Sequence, residues 1–378
     1  TGGVKGTGGA TAAGGAGGVK GTGGATGTGG AISTALPSYF MGADVTDQEV
    51  ASSAAISDLL SQLKAHGFNF IRLRTFVDPK AADGYDQTSG YDDITHTVAF
   101  GKVIKAAGMG LLVDFHMSDN WADPGKQCVP VSWQGYTNIT DLSNALHDYV
   151  KSSITALIAG GARPDMVQIG NETTPGMLLH ICDSTGEPIT GMTPKVTGAA
   201  STAGWPNLGS LLKAGIKGVR DVDTGILVSF HIDKGGDYAA TKYWIDNAVA
   251  QGATPDTFGE SCYQQYQGDP NSTANTKSGW QSTFSQLVSN YPNIRFFAAE
   301  YGPMEREIND VVFNLANNKG LGTFDWEPTS EGDWNAPQPT DPKNFVTHAL
   351  LLRSGNTYTD QVDFALYTQM MMDYASRL

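Results

Sequence analysis

Three cysteines, Cys128, Cys182 and Cys262, are spread over 378 residues. That is too few for a disulfide scaffold, so a hydrophobic core has to carry the fold. Long apolar runs are also missing: no stretch of 18 or more apolar residues could cross a bilayer as a helix. No charged n-region followed by an apolar h-region opens the sequence, as expected of a mature, truncated or cytoplasmic chain. Positive charge is scarce. Lys plus Arg number 24 against 38 Asp plus Glu, a formal net charge of −14, and such a surface repels phosphate backbones and anionic membranes. Nucleic acid is therefore a poor partner, whereas a neutral glycan, or an acidic polymer met at neutral side branches, suits the charge.

Glycine is abundant, and much of it lies at the front. Residues 1–33 are built from Gly, Thr and Ala, with Gly-Gly-Val-Lys-Gly-Thr-Gly-Gly-Ala-Thr beginning at Gly2 and again at Gly17. Such a segment cannot bury enough apolar surface to offset its ordering entropy, so it is expected to be a flexible leader or linker. Residues 34–378 are read as one catalytic domain, since 40% hydrophobic content is ample for a single large core.

From Tyr39 onward, short β-branched or aromatic runs alternate with helical patterns, the signature of repeated βα units. The runs read as strands are Tyr39–Ala43, Phe68–Arg74, Gly110–Phe115, Met166–Gly170, Ile226–His231, Thr257–Cys262, Ile294–Ala299 and Gly322–Trp326. Between the first two, Thr46 or Asp47 can cap a helix whose apolar face is Val50, Ile56, Leu59, Leu60 and Leu63, with Gly67 as its end. The next helix repeats the plan with Val98, Val103 and Ile104, ending at Gly108. Eight strands with such crossovers predict an α/β fold, a (β/α)8 TIM barrel, whose chemistry sits in the loops after each strand. The competing topology is a doubly wound open sheet, but no Gly-rich phosphate loop follows the first strand.

The strand ends carry a dense set of polar groups: Asp44, Arg72, Arg74, Asp114, His116, Asn171, Glu172, His231, Asp233, Tyr263, Glu300, Trp326 and Glu327. In a barrel these positions converge on one cleft, where burial and mutual charge separate their pKa values. Any single one can serve a structural role. Two carboxylates, Glu172 and Glu300, at the ends of two strands are what retaining glycoside hydrolysis requires, one as acid and one as nucleophile. Imidazole and carboxylate at a barrel mouth can also hold zinc, but no His-x-His follows the first strand, so no metal and no cofactor are expected. If the compartment is oxidising, Cys128 and Cys182 are the better disulfide pair, because each sits in an irregular loop after neighbouring strands while Cys262 ends a strand. Trp205, Trp244 and Trp280 fall in or near helices and are read as packing.

The run Asp114-Phe-His-Met-Ser-Asp-Asn-Trp-Ala-Asp-Pro-Gly-Lys-Gln127 resembles the signature of glycoside hydrolase family 53, the endo-β-1,4-galactanases. The likeness extends through Gly42-Ala-Asp44, Phe70-Ile-Arg-Leu-Arg74, Val167-Gln-Ile-Gly-Asn-Glu172, His231-Ile-Asp233, Ala299-Glu-Tyr-Gly302 and Phe324-Asp-Trp-Glu-Pro328. The resemblance implies that Glu172 is the general acid/base and Glu300 the nucleophile. It further implies Asn171 on the sugar 2-hydroxyl, Arg72 and Tyr263 flanking Glu300, Trp326 as a sugar platform and Trp121 as a second contact. Asp44, Asp114, His116, His231 and Asp233 complete the expected substrate-binding set. Some relatives bind calcium in an acidic loop after the seventh strand; here Gly302-Pro-Met-Glu-Arg-Glu leads straight into a helix, so that ion is not expected. The ending Cys262-Tyr-Gln-Gln-Tyr-Gln lacks the Pro and Trp-His of the family. The expectation is a secreted, monomeric hydrolase of β-1,4-galactan. Its alternatives are a hydrolase of another β-glycan, such as mannan or xylan, or a silent glycan-binding barrel.

Overall fold

The computed structural model describes residues 36–263, 276–302, 304–329, 350–360 and 364–378. The Gly-rich segment and the strand-six ending beyond Tyr263 lie outside the described residues. Eight parallel strands close into a barrel: β1 (Phe40–Asp44), β2 (Phe70–Thr75), β3 (Gly110–Phe115), β4 (Met166–Ile169), β5 (Leu227–Ile232), β6 (Thr257–Ser261), β7 (Arg295–Tyr301) and β8 (Gly320–Trp326). All eight expected strands are present, with ends displaced by no more than two residues. The barrel closes where β1 pairs with β8, Asp44 lying opposite Trp326, which rules out the open-sheet alternative.

Crossover helices α1 (Ser53–Ala65), α2 (Ile94–Ala106), α3 (Ile139–Ala159), α4 (Trp205–Arg220), α5 (Tyr238–Ala250), α6 (Lys277–Asn290) and α7 (Glu305–Phe313) wrap it, and α8 (Phe364–Asp373) follows near the end of the chain. The start of α1 differs from expectation. Its cap is Ser52, whose hydroxyl accepts the Ala55 N–H at 3.2 Å, while residues 46–50 form a separate 3-10 turn that leaves Val50 55% exposed. The Thr46 hydroxyl is committed elsewhere, donating to Asp44 and accepting the Arg74 N–H, so it cannot cap a helix. In α2, Ile104 is buried as expected, but Val98 and Val103 are only half-buried, because the inward face is centred on Thr97, Phe100 and Gly101.

Two apolar layers result. The larger lies between strands and helices and includes Trp205, Trp244 and Trp280, all packed as expected. The smaller fills the lower barrel with Phe40, Phe70, Leu112, Met166, Phe297, Leu321 and Phe324. Strand alternation explains the change of character along the axis. Phe40, Gly42 and Asp44 share one face of β1; Phe70, Arg72 and Arg74 share one face of β2; Leu112 and Asp114 share one face of β3. Each strand thus begins apolar at the bottom and ends charged at the top. Gly42 leaves room for a ring, since a Cβ there would lie 2.3 Å from Phe324.

β7 breaks this alternation. Glu260 pairs with Ala298 while the next residue of β6, Ser261, pairs with Glu300, so β7 carries a bulge at Ala299. Ala299 packs into the inner core, and simple alternation would send Glu300 outward; the extra residue re-aims it into the barrel mouth. Cys128 and Cys182 are bonded with Cα atoms 5.9 Å apart, tying the loop after β3 to the long excursion after β4. Cys262 is a buried free thiol.

Candidate active site

Arg72 is the floor of the cleft. Its Nη1 lies 3.0 Å from Asp44 and 2.8 Å from Glu300, and its Nη2 lies 2.7 Å from Asp114 and 2.9 Å from Asn171 Oδ1. Burial works against its charge, but Asp114, Glu300 and Asp44 together hold the guanidinium above its ordinary pKa. Burial alone would raise Asp114; Arg72 and then His116 reverse this and hold its carboxyl below the usual range. His116 Nδ1 accepts the Ala122 N–H at 2.9 Å, so its proton sits on Nε2, 3.1 Å from Asp114.

Glu172 follows β4 with φ of 46°, a left-handed backbone that is strained for a side-chain-bearing residue. Its neighbours hold it there. The Thr173 N–H donates to the His231 carbonyl at 2.9 Å, and Gln127 Nε2 donates to the Asn171 carbonyl at 2.8 Å. Glu172 and Glu300 both line one cavity of about 560 Å³ together with Trp121, Asn171, Asp233, Ser261, Tyr263 and Trp326. Their settings are opposed. Glu300 faces Arg72 and accepts the Tyr263 hydroxyl at 3.0 Å. Burial, followed by the charge of Glu300, pushes the Glu172 carboxyl well above the usual range, and Asp233 and Asp123 add to it. Burial also raises Glu300, but there Arg72 is the leading opposing influence. When the pair holds one proton, it belongs on Glu172. Burial and Glu300 likewise keep the Tyr263 phenol protonated.

The predicted residues therefore divide. Glu172, Glu300, Asn171, Trp121, Asp233, Tyr263 and Trp326 line the cavity. Asp44, Arg72, Asp114, His116 and His231, expected on the substrate, lie 0–3% exposed beneath it, bonded to one another and to the residues of its wall. Trp326 meets Tyr263 edge to face with ring centroids 6.4 Å apart. Trp121 is backed by Arg74, whose guanidinium sits 3.8 Å from the ring centroid and is itself held by Glu327 at 3.0 Å. Asp233 is paired with Lys234 at 2.8 Å and with the Thr174 hydroxyl.

Sequence reasoning missed Gln168, Ser261 and Gln127. Gln168 Nε2 donates to Asp114 at 2.6 Å, and Ser261 Oγ lies 2.5 Å from Glu172. Alternation could have found the first two, because Met166 and Gln168, and Thr257, Gly259 and Ser261, share inward faces. Among the described residues no group of three or more His, Cys, Asp or Glu side chains is arranged to hold a metal ion, and no helix is long and apolar enough to cross a membrane.

Residues 38–302 match the sequence profile of Glycosyl hydrolase family 53. An arabinogalactan endo-beta-1,4-galactanase of Thermothelomyces thermophilus is 30% identical over 291 residues, which is 70% of this chain and 79% of the relative. Among solved structures, the GH53 catalytic domain of Ignisphaera aggregans superposes with a TM-score of 0.63 at 26% identity, covering 78% of this chain and 87% of that one. A structure of fungal beta-1,4-galactanases gives a TM-score of 0.68 at 21% identity over 88% and 100% of the two chains; that likeness speaks to the fold alone.

Proposed function

The chain is a member of glycosyl hydrolase family 53, and from that premise we propose that it cleaves β-1,4-galactosidic bonds within galactan, the side chain of pectic arabinogalactan, with retention of configuration. The observation that carries this reading is the pair of cavity-lining glutamates in opposed settings, Glu300 against Arg72 and Glu172 with no ion-pair partner among the described residues.

In the first step Glu300 attacks the anomeric carbon while Glu172 gives its proton to the glycosidic oxygen, and the leaving chain departs as an alcohol. In the second, Glu172, now a carboxylate, takes a proton from water. The hydroxide so formed attacks the anomeric carbon and releases Glu300 ionised. Arg72 and Tyr263 hold Glu300 charged and aimed, which keeps the nucleophile competent at neutral pH. Asn171 donates to the sugar 2-hydroxyl, Trp326 stacks on the apolar face of the cleaved ring, Trp121 contacts a neighbouring ring, and Asp233 accepts from a sugar hydroxyl. The reaction uses no cofactor. The Cys128–Cys182 bond fits an oxidising compartment, so we place the protein outside the cell.

Replacing Glu172 or Glu300 by Gln lowers galactan hydrolysis on the order of 10³-fold or more, since each loses a role made only in the transition state. NMR of the first-formed product shows the β anomer. Near-normal hydrolysis by either variant, or an α first product, sinks the reading.

A further inference from the structure

Behind Glu172 runs a chain of short polar contacts that the reaction scheme above does not use. Ser261 Oγ lies 2.5 Å from Glu172 Oε1, His231 Nε2 lies 2.8 Å from the same Oγ, and His231 Nδ1 lies 2.9 Å from Asn171 Oδ1. The polarity of this chain can be read from its far end. Asn171 Nδ2 donates to the Ala122 carbonyl at 2.8 Å, and Oδ1 accepts from Arg72, so Oδ1 is an acceptor facing His231. Two acceptors 2.9 Å apart would repel, so Nδ1 carries the imidazole proton. Two other groups approach Nδ1. Gln168 Nε2, at 3.2 Å, is engaged with Asp114 and the Gly170 carbonyl. The Glu172 amide N–H also points toward Nδ1, but from 3.4 Å, the longest of these contacts, against 2.9 Å for Asn171 Oδ1. Burial first, and then the charge of Arg72, keep His231 neutral, so Nε2 presents only a lone pair and accepts the Ser261 hydroxyl proton. With its one proton committed to His231, Ser261 can meet Glu172 only as an acceptor, which requires the proton on Glu172.

We propose that Ser261, held by neutral His231, is a positioning residue that turns its hydroxyl between two partners, accepting from Glu172 when that carboxyl is protonated and donating to it when it is ionised. This rests on the acid/base role of Glu172. One rotation about the Cβ–Oγ bond exchanges the two states, and no proton passes along the chain. The acid form is matched before the first step and the base form before the second, so one serine hydroxyl serves both half-reactions. Among the described residues the charged and titratable groups around the pair include Glu300 from β7, Asp233 after β5 and Asp123 in the loop after β3, facing Glu172. Arg72 from β2, with Asp114 and His116 from β3, face His231. All of these stay in place when the hydroxyl turns.

The test is ¹⁵N NMR of histidine-labelled full-length protein across a pH series. His231 is expected to show a protonated Nδ1 and an unprotonated Nε2. As Glu172 ionises, the Nε2 resonance moves toward the position of a nitrogen that has lost its hydrogen bond. That movement disappears in Ser261→Ala, and in Glu172→Gln, whose amide cannot titrate. In kinetics, Ser261→Ala lowers kcat about tenfold with KM little changed and displaces the alkaline limb of the pH profile, while Ser261→Thr restores both. A protonated Nε2, a pH step that survives in Ser261→Ala, or a Ser261→Ala pH profile identical to that of the parent overturns the proposal. The tautomer is read without turnover, so an active Glu172→Gln would refute the acid/base reading separately.

Discussion

Arg72→Met removes the cation at the centre of the cleft while keeping most of the side-chain length. Three carboxylates then lose their partner: Glu300 at 2.8 Å, Asp114 at 2.7 Å and Asp44 at 3.0 Å. At an effective dielectric of about 20, one such contact is worth about 6 kcal/mol of gross attraction. Much of that offsets the cost of taking the ions out of water, and removing one partner of a buried pair typically costs about 3–5 kcal/mol. The sign of the pH dependence follows. Without Arg72 the Glu300 and Asp114 carboxyls, both of which it now holds down, keep their protons more tightly in the folded state. The stability deficit is therefore full at neutral pH and shrinks as pH falls through the carboxylate range, where protons neutralise the group. Urea unfolding of parent and variant at about pH 7 and about pH 4 measures it. The expected result is a deficit of about 3–5 kcal/mol at the higher pH and a clearly smaller one at the lower. Galactan hydrolysis should fall further than the unfolded fraction explains, because Glu300 loses the cation that orients it. A deficit equal at both pH values, or below about 1 kcal/mol at neutral pH, would mean that these carboxylates are not ionised against Arg72.

Three further outcomes are expected. Replacing Cys128 and Cys182 together by Ala opens a loop whose ends are 54 residues apart, worth about 4 kcal/mol in the chain-entropy account; an unchanged guanidinium unfolding midpoint would contradict it. Trp326→Ala should lower kcat/KM on galactan roughly 30-fold, about 2 kcal/mol of lost ring contact, and an effect under twofold would remove Trp326 as the platform. Because burial and the charge of Glu300 hold the Glu172 proton well above the usual carboxyl range, hydrolysis should persist into near-neutral pH and decline as Glu172 ionises. A pH–rate profile already falling through the ordinary glutamate range would refute that ordering of the two carboxyls.

Much of this protein is written locally. Apolar runs bounded by Gly and polar residues mark the eight strands, and Asn171-Glu172 and Glu300 mark the two carboxylates, because period-two alternation and strand-end polarity need only neighbouring residues. The start of α1 was less legible. Thr46 looks like a cap until its hydroxyl is found bonded to Asp44 and the Arg74 amide, and Arg74 lies 28 residues away.

Residue types, spacing and charge alone determined the barrel, its approximate strand limits, the net negative charge and the presence of two glutamates at strand ends. Only the closed tertiary structure decided what each group faces. It buried Asp44, Arg72, Asp114, His116 and His231 beneath the cavity, and it used the bulge at Ala299 to bring Glu300 inward against the alternation of its own strand. It also placed Ser261 against Glu172. The physical reason is that direction and protonation depend on strand register and on charges far apart in the chain, and these exist only once β1 has met β8.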